Sequence, residues 1–476
     1  MRKTFAILWL ALGLFTGTAA GQGPTQTYVS SSPNPSTYGQ TVTLAATVDG
    51  SGCTGTVNFM NQGAQIGSGD LDGNGNATMQ ISTLSVGTDS ITARYTGDGN
   101  CDPSTSSAEN QVVNHISTTT TVTSSANPST YAQGVTFTAH VSPSAATGTV
   151  TFKDNGTQIG TGTLSGGTAT YTTSSLVAAS HPITAAYGGD SNYSGSTSST
   201  LTQAVNGASL TITASGGAMN YGGSAPTITP SYSGFVNGQT ASSLTTQPTC
   251  TTAATSSSSV AGSPYSSSCS GAVDSNYSIT YVPGSVTVNK VGLTITASSG
   301  SMTYAGTVPP ITASYLGFVN GQTASSLTTQ PTCTTTATTS SPVGSYPTSC
   351  SGAVDNNYTI TYANGSLTVQ IASGAVVLGV NNNPSTYGNS VTLTATVTPS
   401  TATGTVTFND FNGHVPLGGA TLSNGQATLT LSTLAPGPHS ITATYNGDAN
   451  DSASTSAVLG QTVNRRSMTL PSYCVY

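Results

Sequence analysis

The feature that most constrains this chain is internal repetition. The segment GFVNGQTASSLTTQPTC occurs at 234–250 and again, letter for letter, at 317–333. A second kind of unit begins with Asn-Pro-Ser-Thr-Tyr at Asn34, Asn127 and Asn383. Repetition on this scale is typical of tandem arrays, in which each unit is one small domain that contacts chiefly its neighbours. The sequence therefore predicts a series of small modules rather than a single catalytic body.

The first 20 residues have the pattern of a cleaved secretory signal. Arg2 and Lys3 precede an apolar run over 5–15, and the small residues Thr18, Ala19 and Ala20 follow. The run is too short to cross a bilayer as a helix. We therefore expect residues 1–20 to be a signal peptide. The mature chain is expected to be secreted, either extracellular or on a bacterial cell surface, without a membrane span once the signal is removed.

Charge is scarce throughout the chain. Only 4% of the residues are charged, with 14 acidic and seven basic side chains, for a net charge of −7. Removal of Arg2 and Lys3 with the signal leaves five basic residues and changes the net charge to −9. Nucleic-acid binding depends on cations that displace phosphate counterions. The sequence therefore excludes nucleic acid as a partner.

Groups suited to acid–base catalysis are almost absent. Glu109 is the only glutamate, and residues 208–371 contain no histidine. The five histidines are scattered without metal-binding spacing, and we expect them at the surface or at strand edges: His115, His140, His181, His414 and His439. Because general acid–base catalysis needs titratable groups gathered in a pocket, the sequence predicts no enzymatic activity and no cofactor.

Apolar and polar residues alternate within each Asn-Pro-Ser-Thr-Tyr unit. In the first unit every second residue of one run is apolar: Val42, Leu44, Ala46 and Val48. The same alternation recurs from Val135 and from Val391. A period of two is typical of a half-buried β-strand, and about seven such short strands in roughly 90 residues indicate a β-sandwich. Glycine and proline interrupt every candidate helix, so the predicted fold class is all-β.

Three sequence blocks recur in fixed order and carry a resemblance to a known family. Asn-Pro-Ser-Thr-Tyr is followed by TGTVxF and then by ITAxYxGD. This combination resembles the bacterial Ig-like repeat (Big 3 type) found in exported surface proteins. The three copies cover residues 29–114, 115–207 and 372–465. The resemblance implies a small Ig-like β-sandwich for each copy.

The middle of the chain holds the second kind of unit, over residues 208–290 and 291–371. LTITA at 210–214, YGG at 221–223 and GFVNG at 234–238 resemble the MBG (YGX-type) module of bacterial adhesin-like proteins. The resemblance implies a β-rich domain but no defined ligand. Residues 466–476 form a tail of different composition. The predicted architecture is therefore a tandem array of β-sandwich (Ig-like) and β-rich MBG-type domains.

The seven cysteines fit an oxidising compartment. Six fall in pairs within single units, and these pairs are predicted to form intradomain disulfides: Cys53 with Cys101, Cys250 with Cys269, and Cys333 with Cys350. No CxxC cluster accompanies them, which disfavours zinc. Cys474 is left over. We expect a monomer unless Cys474 forms a disulfide with another chain.

A Gly-Asp pair follows the last core tyrosine of each Ig-like copy. Two interpretations compete for its aspartates, which are Asp98, Asp190 and Asp448. They are weak candidates for calcium ligands at module junctions, or each caps its own backbone amides in a turn. Asp70 and Asp72, in Asp-Leu-Asp-Gly-Asn-Gly, are further weak calcium candidates, with a hairpin tip as the alternative. The turn is the preferred interpretation for both sets.

Several aromatic residues are candidates for core or contact roles. We expect Tyr95, Tyr187 and Tyr445 to fill the cores and to bond their hydroxyls to nearby backbone. Tyr193, Phe235 and Phe318 are interpreted as exposed residues available for contact with a glycan or protein. For Phe235 and Phe318 the competing interpretation is that they anchor their loops to the core.

The leading functional hypothesis is an exported, non-catalytic structural or adhesive stalk. The alternative is an array of carbohydrate- or protein-binding modules on the cell surface. Candidate partners are accordingly an extracellular glycan or protein. An exposed cluster of aromatic side chains would favour glycan binding, and the sequence contains no such cluster.

Overall fold

The computed structural model describes residues 21–411 and 415–468. The predicted signal peptide, His414 and Cys474 lie outside these residues. Within them, the helical elements are three short 3-10 turns: Ala241–Ser243, Val260–Gly262 and Ala324–Ser326. No helix in the described part of the chain is long and apolar enough to cross a membrane.

The first Ig-like repeat has nine strands arranged in two sheets. Strands β1 to β9 are Gln26–Ser32, Ser36–Thr37, Val42–Asp49, Thr56–Asn61, Ala64–Asp70, Asn76–Ile81, Gly87–Tyr95, Ser104–Thr105 and Glu109–Asn114. One sheet has the order β1-β3-β6. The other has the order β2-β9-β7-β4-β5, with β8 paired to β7. The short β2 runs parallel to the last strand, β9, whereas the other pairs in the two sheets are antiparallel.

The second Ig-like repeat has the same arrangement. Strands β10 to β18 are Thr119–Ser124, Ser129–Thr130, Val135–Ser142, Thr149–Asp154, Thr157–Thr163, Thr168–Thr173, Ser180–Tyr187, Ser196–Thr197 and Leu201–Asn206. Its sheets are β10-β12-β15 and β11-β18-β16-β13-β14, with β17 paired to β16.

Each MBG-type repeat has seven strands in a three-stranded and a four-stranded sheet. In the first, β19 to β25 are Ala208–Ala214, Gly217–Asn220, Pro230–Ser233, Thr249–Thr252, Tyr265–Ser270, Tyr277–Val282 and Gly284–Asn289. In the second, β26 to β32 are Val291–Ala297, Gly300–Thr303, Ala313–Leu316, Thr332–Thr335, Gly344–Ser351, Tyr358–Ala363 and Gly365–Gln370. The sheet orders are β21-β19-β24 and β20-β25-β23-β22, then β28-β26-β31 and β27-β32-β30-β29.

The third Ig-like repeat returns to the first topology. Strands β33 to β41 are Ala375–Val380, Ser385–Thr386, Val391–Thr398, Thr405–Asp410, Val415–Thr421, Gln426–Leu431, Gly437–Tyr445, Ser454–Thr455 and Leu459–Asn464. Its sheets are β33-β35-β38 and β34-β41-β39-β36-β37, with β40 paired to β39. The predicted all-β class and the sandwich architecture are therefore confirmed.

The described chain divides into two compact units. One contains residues up to 212 together with 232–248 and 271–280. The other contains 213–231, 249–270 and the residues from 281 onward.

The core of each Ig-like repeat is built by the predicted alternation. Along β3, residues 42, 44, 46 and 48 are buried, while their neighbours are half-buried or exposed. Phe59 in β4 and Tyr95 in β7 are fully buried, as are the corresponding Phe408 and Tyr445 in the third repeat. Burying a large side chain contributes roughly 1.5–3 kcal/mol, so these positions dominate the stability of such small sandwiches.

Three disulfides lie within single repeats. Cys53 is bonded to Cys101 across 48 residues. Cys250 and Cys269, and likewise Cys333 and Cys350, bridge neighbouring antiparallel strands at directly opposed positions. These are the three pairs expected from the sequence.

Candidate functional site: the entry loops

One tripeptide, Asp-x-Asn, occurs in all five repeats at the loop that meets the segment entering that repeat. We call it the entry loop, and its copies are 98–100, 190–192, 274–276, 355–357 and 448–450. In each copy the Asp Oδ1 accepts the backbone N–H of the Asn two residues later, at 2.7 Å in the first and 2.8 Å in the others. This is the arrangement of an Asx turn. Gly-Asp was predicted as a motif of the Ig-like copies, whereas the Asn that both module types share was not predicted.

In the Ig-like repeats the second carboxylate oxygen of this Asp is also occupied. Asp190 Oδ2 accepts the backbone N–H and the hydroxyl of Thr147, both at 2.8 Å. Thr54 donates the same two hydrogen bonds to Asp98, and Thr403 donates them to Asp448. The carboxylates of these calcium candidates thus bond protein donors, as a capped turn requires.

The same hydrogen bonds favour the charged form of these aspartates. Backbone N–H of Asn100 and the donors of Thr54 lower the pKa of Asp98 to about 2. For Asp190 and Asp448 burial acts in the opposite direction, but the hydrogen bonds outweigh it and lower the pKa. The three turns are therefore expected to persist well into the acid range.

Asp70 and Asp72 lie apart from the entry loops, near a hairpin turn. Asp72 Oδ1 accepts the backbone N–H groups of Asn74 and Asn76, both at 2.9 Å, and these bonds lower its pKa. Asp70 accepts the Thr56 hydroxyl at 2.7 Å. Within residues 21–411 and 415–468, no three His, Cys, Asp or Glu side chains gather where a metal ion would be held.

The Asn of each entry loop receives the chain as it enters the repeat. Its backbone carbonyl accepts the N–H of an incoming residue in every copy: Gly23 at 2.7 Å, Ile116 and Ala208 at 2.9 Å, Val291 at 3.0 Å and Ala372 at 2.8 Å. The Asx turn fixes the backbone of the Asn through its hydrogen bond to the Asp, and the same Asn accepts the incoming N–H. The entry loop therefore contacts the segment by which the chain enters each repeat.

At three junctions the Asn side chain also bonds the preceding repeat. Asn276 Oδ1 accepts the N–H of Ala178, Asn357 Oδ1 that of Val260 and Asn450 Oδ1 that of Val343, each at 2.9 Å. Every donor is a backbone amide, so the side chain of the donor residue does not enter the bond. Successive repeats are thus joined by hydrogen bonds as well as by the peptide chain.

Tyrosine pairs accompany two of these junctions. Tyr131 meets Tyr277 edge-to-face with ring centroids 5.8 Å apart, and Tyr221 meets Tyr358 at the same distance. Edge-to-face pairs contribute about 0.5–1.5 kcal/mol beyond their buried area. Among the described residues, Asn192 makes no corresponding bond to the first repeat, so the joint between the first two Ig-like copies lacks this contact.

The aromatic residues proposed for ligand contact are partly occupied within the protein. Tyr193, Phe235 and Phe318 are half-buried, so the expectation that they are exposed is wrong. The Phe235 ring packs edge-to-face on Tyr277, and Phe318 packs in the same way on Tyr358, with centroids 5.4 and 5.5 Å apart. These contacts match the competing interpretation, in which the GFVNG loops are anchored by their phenylalanines.

The core tyrosines fill the space expected of them but differ in their hydroxyl bonds. Tyr95 donates to the carbonyl of Thr54 at 2.8 Å. The hydroxyls of Tyr187 and Tyr445 are buried and have no hydrogen-bond partner within the described residues, so the expected backbone bond is absent there. Burial, followed by the nearby charge of Asp190, raises the pKa of Tyr187 to about 12.

Two histidines depart from the predicted surface location. His181 is buried, and its Nδ1 lies 2.7 Å from Asp154 Oδ2. His439 is half-buried, with Nδ1 2.5 Å from Asp410 Oδ2 and Nε2 2.7 Å from the Ala435 carbonyl. Both ring nitrogens of His439 thus face acceptors. Burial lowers the pKa of His439, but the bonds to Asp410 and Ala435 outweigh it and raise the pKa overall.

A cavity of about 390 Å³ adjoins this pair, lined by Asp410, His439 and apolar residues that include Leu417 and Leu434. Neither nitrogen of His439 is free to act as a base there, because each is engaged by Asp410 or Ala435. The described residues that line this cavity include no aromatic ring other than the His439 imidazole.

Family models match most of the chain. The bacterial Ig-like domain (group 3) model matches residues 29–114, 122–206 and 378–464, which is more than half of the chain. The MBG domain (YGX type) model matches residues 210–287 and 293–368. No curated protein sequence matches the chain.

Several solved structures match the chain at low sequence identity. Fibronectin(III)-like modules of Clostridium thermocellum CbhA are 20% identical over 37% of this chain and 93% of theirs, with a TM-score of 0.18. Sidekick-1 immunoglobulin domains 1–5 are 12% identical over 92% and 99%, with a TM-score of 0.21. A 1.5-MDa bacterial ice-binding adhesin, studied for host cell surface retention, is 14% identical over 94% and 100%, with a TM-score of 0.19.

Proposed function

Because this chain belongs to the bacterial Ig-like domain (group 3) family, we propose that it is an exported, non-catalytic stalk that spaces or attaches material at a bacterial surface. The family models describe structural modules, and three intradomain disulfides fit an extracellular location. The boundaries proposed for the modules are 29–114, 115–207, 208–290, 291–371 and 372–465.

One observation carries the proposal: the same entry loop joins successive repeats of both types. Three Asn side chains each accept a backbone N–H of the preceding repeat at 2.9 Å. A spacer needs joints that limit bending, and these hydrogen bonds, accompanied at two joints by tyrosine pairs, restrict the movement of one repeat against the next. An enzyme, by contrast, would need a pocket with free titratable groups.

The joints are tested by measuring bending in the mature chain, residues 21–476. Asn276→Ala, Asn357→Ala and Asn450→Ala together should broaden the distribution of angles between adjacent repeats in electron micrographs. Asn192→Ala is the matched control, since this residue makes no such bond, and it should leave the distribution unchanged. Equal distributions for the triple variant and the unmodified chain would contradict the role given to the joints.

Attachment is tested separately on an array of glycans and extracellular-matrix proteins, with and without calcium. Reproducible binding that is lost when residues 208–371 are deleted would make the chain an adhesin and locate its contacts in the MBG-type repeats. Variants Phe235→Ala and Phe318→Ala would then test the proposed contact residues. Absence of binding would leave spacing as the function, and binding that persists without 208–371 would place the ligand site in the Ig-like repeats.

A further inference from the structure

Lysine and arginine are so rare in this chain that the surroundings of each can be described in turn. Outside residues 1–20 there are five: Arg94, Lys153, Lys290, Arg465 and Arg466. A protease of trypsin-type specificity cleaves the peptide bond that follows lysine or arginine, because its substrate pocket contains a carboxylate. Such an enzyme therefore has five bonds to attack after the first 20 residues.

Two of these bonds lie inside β-sheets. Arg94 in β7 pairs with Asn58 of β4 on one side and with Thr105 of β8 on the other. Lys153 in β13 likewise has a paired strand on both sides, β14 and β16. A protease binds several residues of its substrate as a free extended segment, so a strand with two neighbours must first leave its sheet. Both bonds are therefore protected by the fold.

Lys290 lies at the junction of the two MBG-type repeats, between two hydrogen-bonded residues. The preceding residue, Asn289, is the last of β25, and its carbonyl accepts the N–H of Tyr221 at 2.9 Å. The following residue, Val291, begins β26 and donates its N–H to the carbonyl of Asn357 at 3.0 Å. The side chain of Lys290 is exposed, but the backbone on both sides of it is held by these bonds.

Arg465 and Arg466 have a different environment. The last strand, β41, ends at Asn464, whose carbonyl accepts the N–H of Tyr387 at 2.9 Å. Residues 465–468 follow outside the strands, and all four are exposed. Of the two arginines, Arg466 is farther from the end of the sheet. An enzyme can therefore reach the residues on both sides of the bond after Arg466 without opening a strand.

We propose that the bond between Arg466 and Ser467 is a cleavage site, at which a protease of trypsin-type specificity separates the five repeats from the residues that follow. Hydrolysis breaks this bond, the hydroxyl group of water completes the new carboxyl group of Arg466, and the remaining proton goes to the new amino group of Ser467. The other six cysteines form the three disulfides within repeats, so the cut detaches Cys474 from them.

The biological setting of this cleavage rests on the proposed export, because an extracellular protease would perform it. The accessibility of the bond, by contrast, is a property of the chain itself. Proteolysis of a folded protein depends on how often the attacked segment is open. A segment that is already outside the sheets is open at all times, whereas the bonds after Arg94 and Lys153 become open only when a sheet unfolds locally.

The test is limited digestion of purified residues 21–476 with trypsin, followed over time by intact-mass measurement. The first product should be residues 21–466. Cleavage after Arg466 should be at least about a hundredfold faster than cleavage after Arg94 or Lys153, which requires local unfolding. Cleavage after Arg94, Lys153 or Lys290 at the rate found for Arg466, or a bond after Arg466 that stays intact, would overturn the proposal.

Two variants identify the bond. Arg466→Gln leaves only the bond after Arg465, which adjoins β41, and should slow the release of the following residues by roughly tenfold. Arg465→Gln together with Arg466→Gln should abolish the release. Lys290→Gln is the matched control, since it also removes one exposed cation, and it should leave the rate of release unchanged. Release that persists in the double variant would show that another bond is cut and would overturn the proposal.

Two measurements establish that each variant is folded. Circular dichroism reports its strand content, and resistance of the bonds after Arg94 and Lys153 reports that the first two Ig-like repeats are intact. Because neither bending at the entry loops nor binding to an array enters the digestion, failure of the cleavage site and failure of the stalk function are separately detectable.

Discussion

The first and third Ig-like repeats have nearly the same apolar core and a different polar interior. Phe59 and Tyr95 in the first repeat correspond to Phe408 and Tyr445 in the third, and all four are fully buried. Several polar or disulfide-bonded positions, by contrast, hold residues of different chemistry in the two repeats. The shared core residues account for the shared fold, and we expect the differing polar residues to make the stability of the two repeats depend differently on redox conditions and pH.

The largest difference between the two repeats is that only the first has a disulfide at this place. Cys53 and Cys101 of the first repeat correspond to Ala402 and Asp451 in the third. Asp451 is 1% exposed, and neither of its carboxylate oxygens has a hydrogen-bond partner among the described residues. Burial, followed by the nearby charge of Asp448, raises the pKa of Asp451. The third repeat therefore has a buried carboxyl group without a hydrogen-bond partner, in the described chain, at a position where the first repeat has a disulfide.

A second difference concerns the hydroxyl groups that bond a serine in the first repeat and are missing in the third. In the first repeat Ser104 bonds the hydroxyls of Thr25 and Thr27 at 2.6 and 2.7 Å. Gly374 and Val376 occupy the threonine positions in the third repeat, and the hydroxyl of Ser454 is buried without a partner in the described chain.

A third exchange alters charge. Asn61 donates to Asp89 in the first repeat at 2.8 Å. The corresponding residues of the third repeat are Asp410 and His439, which form an ion pair when the imidazole is protonated. An ion pair with histidine titrates near neutral pH, but an amide–carboxylate pair does not.

The largest effect is expected from introducing the disulfide of the first repeat at the corresponding positions of the third. Ala402→Cys with Asp451→Cys closes a loop of about 50 residues, worth about 4 kcal/mol in the chain-entropy model, and removes the unpaired acid. Hydrogen exchange of β39 in oxidised and reduced protein measures the gain. Protection that is no greater in the oxidised form would show that the two repeats differ in backbone at this loop.

The next effect is a pH dependence of the third repeat that distinguishes it from the first. The pKa of His439 is raised above 6.5, so the stability from its bond to Asp410 is present below that pH and is lost as the pH rises through the folded pKa. Unfolding by urea between pH 6 and 9 should show a loss of about 1–2 kcal/mol for this repeat.

Asp410→Asn with His439→Asp reproduces the pair of the first repeat and supplies the control. This double variant should have a flat profile over the same range. A slope that survives the exchange would assign the pH dependence to another group.

A smaller effect is expected from Asp451→Asn. Because its pKa is raised above 3.8, the acid stabilises the fold below about pH 4, and that stability is lost as the pH rises through the folded pKa. The amide should therefore stabilise the third repeat by about 1 kcal/mol at pH 7 and by nothing at pH 3. Equal gains in stability at both pH values would show that the effect comes from packing and not from charge.

The smallest effect is expected from giving the first repeat a residue of the third. Thr27→Val removes one hydroxyl partner of Ser104 and should cost about 0.5–1 kcal/mol. Thermal unfolding of the first repeat measures it, with the unaltered third repeat as internal reference. No change would mean that Thr25 alone satisfies Ser104.

The strands were predictable because their information is local. The period-two alternation from Val42 to Val48 specifies a strand and its buried face without knowledge of any other segment. The disulfide pairs were also predictable from the sequence, since both cysteines of each pair lie inside one repeat. By contrast, Asp410 and His439 are 29 residues apart in sequence and meet only through the register of β36 and β39. That register is a tertiary property.

The entry loops show a different limit of sequence reasoning. Asp-x-Asn was visible in all five repeats, yet its partners at the joints are backbone amides, as at Ala178 and Val260. A backbone donor leaves no trace in the amino-acid pattern. The bond between repeats was therefore not predictable from the residues that form it.

The use of backbone amides at the joints has a consequence for how such a chain changes through recombination. Because any residue except proline has a backbone N–H group, a copied repeat inserted in frame brings its own Asn acceptor and needs no particular side chain in the repeat that precedes it. Proline is the exception, and Pro436 occupies in the third Ig-like repeat the position that Ala178 holds in the second. Duplication of the kind recorded by the identical segments 234–250 and 317–333 therefore requires no matching side chain at the donor position, where proline is the residue that cannot donate.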